Sequence, residues 1–272
     1  MLKTKDEMLN NKTIWITGAS SGIGEACAYL WAKSPEKVNL ILTATRADRL
    51  TEVQQECIRL GARCEILPYD LSDPTHIDTL TDNAVALFGR IDIAFLNAGI
   101  SQRGKTLETD FQVDRKIMDV NFFAPVRITK RLLPKMIEKG GGTIAVTSSI
   151  AGRFGFPLRS AYASSKFALY GFFETVHAEY YDENIRVVMV CPGRVRTQIS
   201  FNALEADGTK HGRMDEGQQK GITAEKAARK IVKAIKQQKP EVLVGGPELL
   251  MVYIKRFIPS LSRRLVRQIN AT

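Results

Sequence analysis

Short apolar, β-branched runs alternate with amphipathic segments along most of this chain. Thr13–Thr17 is the first such run and stops at Gly18, after which residues 23–33 carry helical periodicity. The pattern then repeats. Strand 38–44, helix 47–60 with Gly61 as its stop, strand 63–68, helix 74–88 ending at Gly89, and strand 91–96 follow in order. A long helix is predicted between about residues 110 and 138, ended by Gly140-Gly141-Gly142, with strand 143–148 behind it. A helix holding Tyr162 runs on to Asp182, and residues 185–191 read as a continuous apolar strand buried on both faces. Strands alternating with helices at this spacing predict an α/β fold with a parallel sheet covered on both sides.

The rhythm breaks after Pro192. Residues 200–221 are polar and hold Gly208, Gly212 and Gly217, the composition of a mobile loop, and about 198–221 is expected to act as a substrate lid. Regular structure resumes with helix 223–237, Thr223 as its N-cap and Glu225 in its first turn, and then the short strand Glu241–Val244. Residues 249–254 and a second segment in which Leu261, Leu265 and Ile269 share a face make an amphipathic tail. The expected organisation is a polar extension over 1–11, one domain over 12–246 and a basic tail over 247–272.

Composition narrows the classes. With 272 residues, 44% of them hydrophobic, the chain can bury a full core in one domain. The net charge of +10 is concentrated: Lys255, Arg256, Arg263, Arg264 and Arg267 lie in the last 22 residues with no acid among them. That tail reads in three ways, as a contact for an anionic membrane surface, as a subunit interface, or as packing on its own core. No nucleic-acid partner is expected. Cys27, Cys57, Cys64 and Cys191 lack CxxC spacing, which predicts buried reduced thiols and a cytoplasmic location. The first twelve residues lack the features of a secretory signal, and no apolar run reaches about eighteen residues. His76, His177 and His211 have no ligand-like neighbours, so no metal site is expected; His211, in the lid, reads as a solvated loop histidine.

Three local patterns carry chemistry. The turn Gly18-Ala-Ser20-Ser21-Gly22-Ile23-Gly24 between the first strand and helix suits a pyrophosphate, because glycines admit a tight turn and the helix N-terminus offers free N–H groups. Its spacing is G-x-x-x-G-x-G, neither the common dinucleotide fingerprint nor a P-loop. At the end of the second strand, where an acid would bond the ribose of NAD, stand Thr45 and Arg46. A guanidinium there suits a 2′-phosphate, so NADP(H) is the expected cofactor, with Arg49 as a second cation. Asp70 with Leu71 and Asn97-Ala98-Gly99 follow the third and fourth strands, where ligands meet such sheets, although both are also ordinary turn sequences. Finally, Tyr162 and Lys166 stand four residues apart on one helix face. A free phenol is ionised only about one time in a thousand at neutral pH, and a neighbouring cation favours the phenolate.

Residues 17–24, Asn97-Ala98-Gly99, Asn121, Ser149, the Tyr162/Lys166 pair and Pro192-Gly193-Arg194-Val195-Arg196-Thr197 together resemble the classical short-chain dehydrogenase/reductase family over about residues 12–245. The resemblance implies a single doubly wound, Rossmann-type domain with a seven-stranded sheet, binding a nicotinamide cofactor and reducing a carbonyl or oxidising an alcohol. It implies Tyr162 as general acid/base, Lys166 lowering its pKa and holding the nicotinamide ribose, Ser149 bonding the substrate oxygen, and Asn121 anchoring a water in a proton relay. Pro192 and Gly193 would then border the cofactor, and Val195 and Thr197 would clasp its carboxamide. A homo-oligomer is the family-based expectation. Leu96 departs from the pattern, which often has asparagine there. Phe201, Leu204 and Met214 in the lid, with the apolar tail, suggest a lipophilic substrate.

Overall fold

The computed structural model describes residues 11–269, so nearly all of the polar extension over 1–11 and the last three residues lie outside the described residues. Seven strands make the main sheet: β1 (Thr13–Thr17), β2 (Asn39–Thr43), β3 (Arg63–Ile66), β4 (Ile93–Leu96), β5 (Gly142–Thr147), β6 (Ile185–Pro192) and β7 (Glu241–Val244). They form one parallel sheet in the order β3-β2-β1-β4-β5-β6-β7. The strand order reverses beside β1, and β1 pairs with both β2 (Ile14↔Leu40) and β4 (Ile14↔Ile93). That reversal opens a crevice at the carboxyl ends of β1 and β4, where this architecture binds ligands.

Helices cover both faces because the central strands β1 and β4 are apolar and buried on both. On one face lie α1 (Gly22–Ala32), α2 (Ala47–Arg59) and, near the end of the chain, Ala224–Lys236, whose buried Cys27, Trp31, Val53 and Ile231 join one core. On the other lie α3 (Ile77–Phe88), α4 (Phe111–Met118), α5 (Ala124–Glu138) and α6 (Ser160–Glu179), and here Leu80, Ile128, Leu132 and Phe173 build the second core. Ala224–Lys236 is α7, with Thr223 capping it by accepting the Lys226 N–H. All four cysteines are buried and free.

Three predicted elements differ. Residues 74–76 are a turn rather than helix, held by the Tyr69 hydroxyl accepting the His76 N–H. The long helix is two helices joined by a π turn, Asp119–Phe123, in which the Ala124 N–H reaches the Asp119 carbonyl. Apolar periodicity continues through that turn, which is why sequence alone merges the pieces. The third difference is residues 200–221, which are tied to the core rather than loose. Leu204–Glu205 pairs in parallel with Gln102–Arg103, the Leu204 N–H bonds Ser101 O, and Ser200, Ala203 and Asp215 are buried. Helices α8 (Leu250–Phe257) and α9 (Pro259–Val266) complete the described chain.

Candidate active site

The carboxyl ends of the strands enclose a cleft of about 1040 Å³. Its floor is the glycine turn. Gly18 and Gly22 hold φ of 68° and 60°, which a side chain disfavours, and a Cβ on Gly18 would stand 2.8 Å from Ala98 Cα. A Cβ on Gly24 would overlap the Gly18 carbonyl, so the third glycine lets helix and turn close on each other. Ser21 precedes α1 without making a capping bond, leaving the helix N-terminus for a ligand.

The predicted catalytic and cofactor-contact residues line this one cleft except Gly24, Asn121 and Arg49. Gly18, Ser20, Ser21, Gly22 and Ile23 form the turn, and Thr45 with Arg46, then Asp70 with Leu71, form one end. Arg46 is exposed and donates to Ser20 O at 3.4 Å, whereas Arg49 is committed to Glu25 and Glu52. Asp70 accepts the Ser72 N–H at 2.9 Å. Asn97 holds the next strand end in place: its N–H donates to Thr17 Oγ1 at 3.0 Å, and its side-chain oxygen accepts from Thr147 Oγ1 at 3.1 Å. A Cβ on Gly99 would stand 3.1 Å from Asn121 Oδ1 and 3.3 Å from Lys166 Nζ, so a side chain there would crowd both. Pro192, Gly193, Val195 and Thr197 form the opposite wall.

At the centre are Ser149, Tyr162 and Lys166. Ser149 caps the short turn Ile150–Gly152 by accepting the Ala151 N–H at 3.1 Å and donates to Pro192 O at 3.3 Å. Burial pushes the Tyr162 phenol above its ordinary value, and this rise is opposed by the neighbouring Ser149 hydroxyl and by the positive charges of Arg159 and Arg103. Lys166 donates to Thr147 O at 2.8 Å, and burial lowers its pKa to about 7. Asn121 sits beneath, fully buried. Its oxygen accepts the Ile100 N–H at 2.8 Å, and its amide donates to Ile100 O at 2.9 Å and Ser165 Oγ at 3.0 Å. The Ser165 hydroxyl donates in turn to Tyr162 O at 2.8 Å.

Arg103, Arg159 and Asp215, which no local pattern marks, crowd the substrate end. Asp215 takes a two-pronged ion pair from Arg103, a hydrogen bond from Ser200 at 2.9 Å, and a 3.6 Å contact from Arg159. His211 is not solvated. Its side chain is 1% exposed and fits between Glu205 and Asp215, because the pairing of Leu204–Glu205 folds the loop inward. Of the three apolar lid residues only Leu204 reaches the cleft; Phe201 and Met214 border a shallower depression beside α1. The tail also contributes, since Met251 and Ile269 line the cleft. Among the described residues no group of acids, histidines or cysteines is arranged to hold a metal ion, and no helix is long and apolar enough to cross a membrane.

A doubly wound sheet with a glycine cradle at its switch point and a Ser, Tyr and Lys cluster opposite defines a nucleotide-dependent oxidoreductase. The short chain dehydrogenase family model matches residues 12–208, and the chain belongs to that family, whose members use a nicotinamide cofactor. It is 36% identical over 273 residues to Dehydrogenase/reductase SDR family protein 7-like of Drosophila melanogaster, covering 97% of this chain and 83% of that one. Dehydrogenase/reductase SDR family member 7B of Bos taurus is also 36% identical, over 95% and 81% of the two chains. The crystal structure of a short-chain dehydrogenase from Streptomyces avermitilis superposes with a TM-score of 0.79 at 29% identity, covering 94% of each chain.

Proposed function

We propose that this chain is an NADP(H)-dependent oxidoreductase acting on a carbonyl or secondary alcohol, with Tyr162 as general acid/base. The observation that carries this reading is that Ser149, Tyr162 and Lys166 line the same cleft as the glycine turn. The residues fit such a cofactor: the turn is too tight for side chains at Gly18 and Gly24, and Arg46 stands at the β2 end without a neighbouring carboxylate at Thr45. When bound, the reduced nicotinamide supplies the hydride.

The protein's own contribution is electrostatic and protic. A carbonyl being reduced develops negative charge on oxygen, and the Ser149 hydroxyl and Tyr162 phenol stabilise it by donating hydrogen bonds. Tyr162 then gives up its proton, and in the oxidative direction takes one. Arg159 and Arg103 favour the phenolate left behind. Asn121 acts as a positioning residue, tying Ile100 to α6 through Ser165. A panel of ketones and aldehydes, followed by nicotinamide absorbance with NADPH and NADH, tests the reading; no cofactor oxidation with any carbonyl overturns it.

A peripheral membrane contact has an observation of its own. Leu250, Tyr253 and Phe257 share one face of α8 and are 62%, 52% and 76% exposed, beside the five tail cations. A second copy docked on the same face would set those cations against their equals, so an anionic bilayer is the better match. Flotation with anionic and neutral vesicles tests it on the full chain and on Phe257→Ser. Equal recovery of both proteins with both lipids removes the idea.

A further inference from the structure

The cleft wall that follows β6 is held from outside the sheet. Pro192↔Val244 is the last pair of β6 and β7, and the Gly193 N–H still reaches Val244 O at 2.8 Å. One residue further the ladder has ended. The Arg194 N–H donates instead to Glu248 Oε1 at 2.7 Å, and the same oxygen accepts the Gly246 N–H at 3.0 Å. Glu248 lies in the short turn Pro247–Leu249 that leads into α8, so a carboxylate of the tail satisfies a backbone donor 54 residues away. A Cβ on Gly193 or on Gly245 would overlap Glu248 Oε1, so both positions are bare where the carboxylate passes. Gly193, Arg194, Val195, Thr197 and Glu248 all line the cleft.

We propose that Glu248 is a positioning residue for the cofactor: it fixes the wall 193–197 against the glycine turn and thereby makes the C-terminal tail part of the cofactor site. This rests on the nicotinamide-dependent reading above. The wall is also supported from its opposite side, where Gln218 Oε1 accepts the Val195 N–H at 3.1 Å and Val195–Arg196 pairs with Ile222–Thr223. Thr197, at the far end, lies over the turn that suits a pyrophosphate, since a Cβ on Gly22 would stand 2.9 Å from Thr197 Cγ2. The wall therefore runs from the Glu248 carboxylate to the floor of the cofactor cleft.

Capping its own turn is the ordinary role of an acid in this place, and the Gly246 bond fits that role. The shorter bond does not, because Arg194 belongs to the strand end and not to the turn. Without Glu248 the Arg194 N–H loses its acceptor, and the wall must be ordered when the cofactor binds, which costs affinity. Ser149 and Lys166 depend on it less, since they bond Pro192 O and Thr147 O within the strands. Both donors to Glu248 are backbone N–H groups, so a neutral amide oxygen in the same position can accept them too. Because α8 begins at Leu250, movement of that helix moves the carboxylate.

Fluorescence titration of NADPH on the full chain compares wild type, Glu248→Ala and Glu248→Gln, with urea unfolding of each beside it. Glu248→Ala should weaken NADPH by about tenfold, the value of one hydrogen bond to a charged acceptor, and Glu248→Gln should recover most of the loss. Gly193→Ala isolates the contact, since its methyl group falls where Glu248 Oε1 stands. It should weaken NADPH in the wild-type background and lose most of that effect when combined with Glu248→Ala. Wild-type affinity in Glu248→Ala overturns the proposal even where stability falls, and so does a Glu248→Gln protein as weak as Glu248→Ala. An equal effect of Gly193→Ala in both backgrounds also overturns it. Wild-type affinity in Gly193→Ala alone does the same, a measurement that stands where Glu248→Ala does not fold. If the wild-type protein binds NADH and not NADPH, the same comparison with NADH decides, and only the cofactor preference falls. Binding of neither overturns the cofactor reading and this proposal together.

Discussion

The Lys166 ammonium stands 5.8 Å from the centre of the Tyr162 ring and spends a 2.8 Å hydrogen bond on the Thr147 carbonyl. It therefore meets the phenol across its ring, and the charges that favour the Tyr162 phenolate are those of Arg159 and Arg103. Burial brings Lys166 itself to a pKa of about 7, so its charge at neutral pH is set by what comes to lie beside it.

Cofactor binding should accordingly take up a proton at Lys166. An anionic dinucleotide favours the ammonium and raises its pKa, so the complex holds more protons than the free protein above pH 7. NADPH affinity is then level below pH 7 and falls above it, by at most about tenfold per pH unit until the raised pKa is reached. Fluorescence titration of NADPH across that range checks this, with Lys166→Met expected to flatten the profile. The same slope in wild type and Lys166→Met would show that Lys166 does not carry the effect.

Replacing the acid removes the proton but little of the binding surface. Tyr162→Phe should lower kcat by about 10²–10⁴-fold, the usual range for a positioned acid/base, with NADPH affinity unchanged. Steady-state kinetics beside a binding titration separate the two, and turnover near wild type would take Tyr162 out of the mechanism.

What the sequence made legible was whatever is encoded locally. The glycine turn shows because Gly18, Gly22 and Gly24 stand next to each other in the chain, and the Tyr162/Lys166 pair shows because four residues make one helical turn. Strand and helix order follows from alternating patterns that each element carries within itself. The ionic cluster has no such signature. Arg103 and Asp215 are 112 residues apart, joined only when Leu204–Glu205 pairs with Gln102–Arg103. The burial of His211 is hidden for the same reason, since a polar, glycine-bearing segment looks solvated until its long-range pairing is known. The π turn around Asn121 is hidden by a different cause: one extra residue in a helix barely disturbs apolar periodicity. The tail's contribution to the cleft through Met251 and Ile269 is likewise tertiary.

Arg46 sets the cofactor preference in this reading. Arg46→Glu should weaken NADPH by about 10–100-fold, the value of one or two charge-assisted bonds, and leave NADH nearly unaffected. Dissociation constants for both cofactors on both proteins measure it. An unchanged ratio would place the 2′-phosphate away from Arg46.

Asp215 should matter for stability as much as for the site. Burial alone would raise its pKa, but the Arg103 hydrogen bonds and charge, with Ser200 and Arg159, outweigh that and hold the carboxyl below its usual range. A carboxylate depressed in the folded state stabilises it above the unfolded pKa, near 4, and that contribution is lost as pH falls through the lower folded value. Asp215→Asn leaves the buried Arg103 guanidinium without its paired charge and should cost about 3–5 kcal/mol at pH 7. Urea unfolding at pH 7 and through the acid range measures both effects, since the variant should lack the part of the acid slope that Asp215 supplies. A variant as stable as wild type at pH 7 would mean that the cluster's charges are balanced without Asp215.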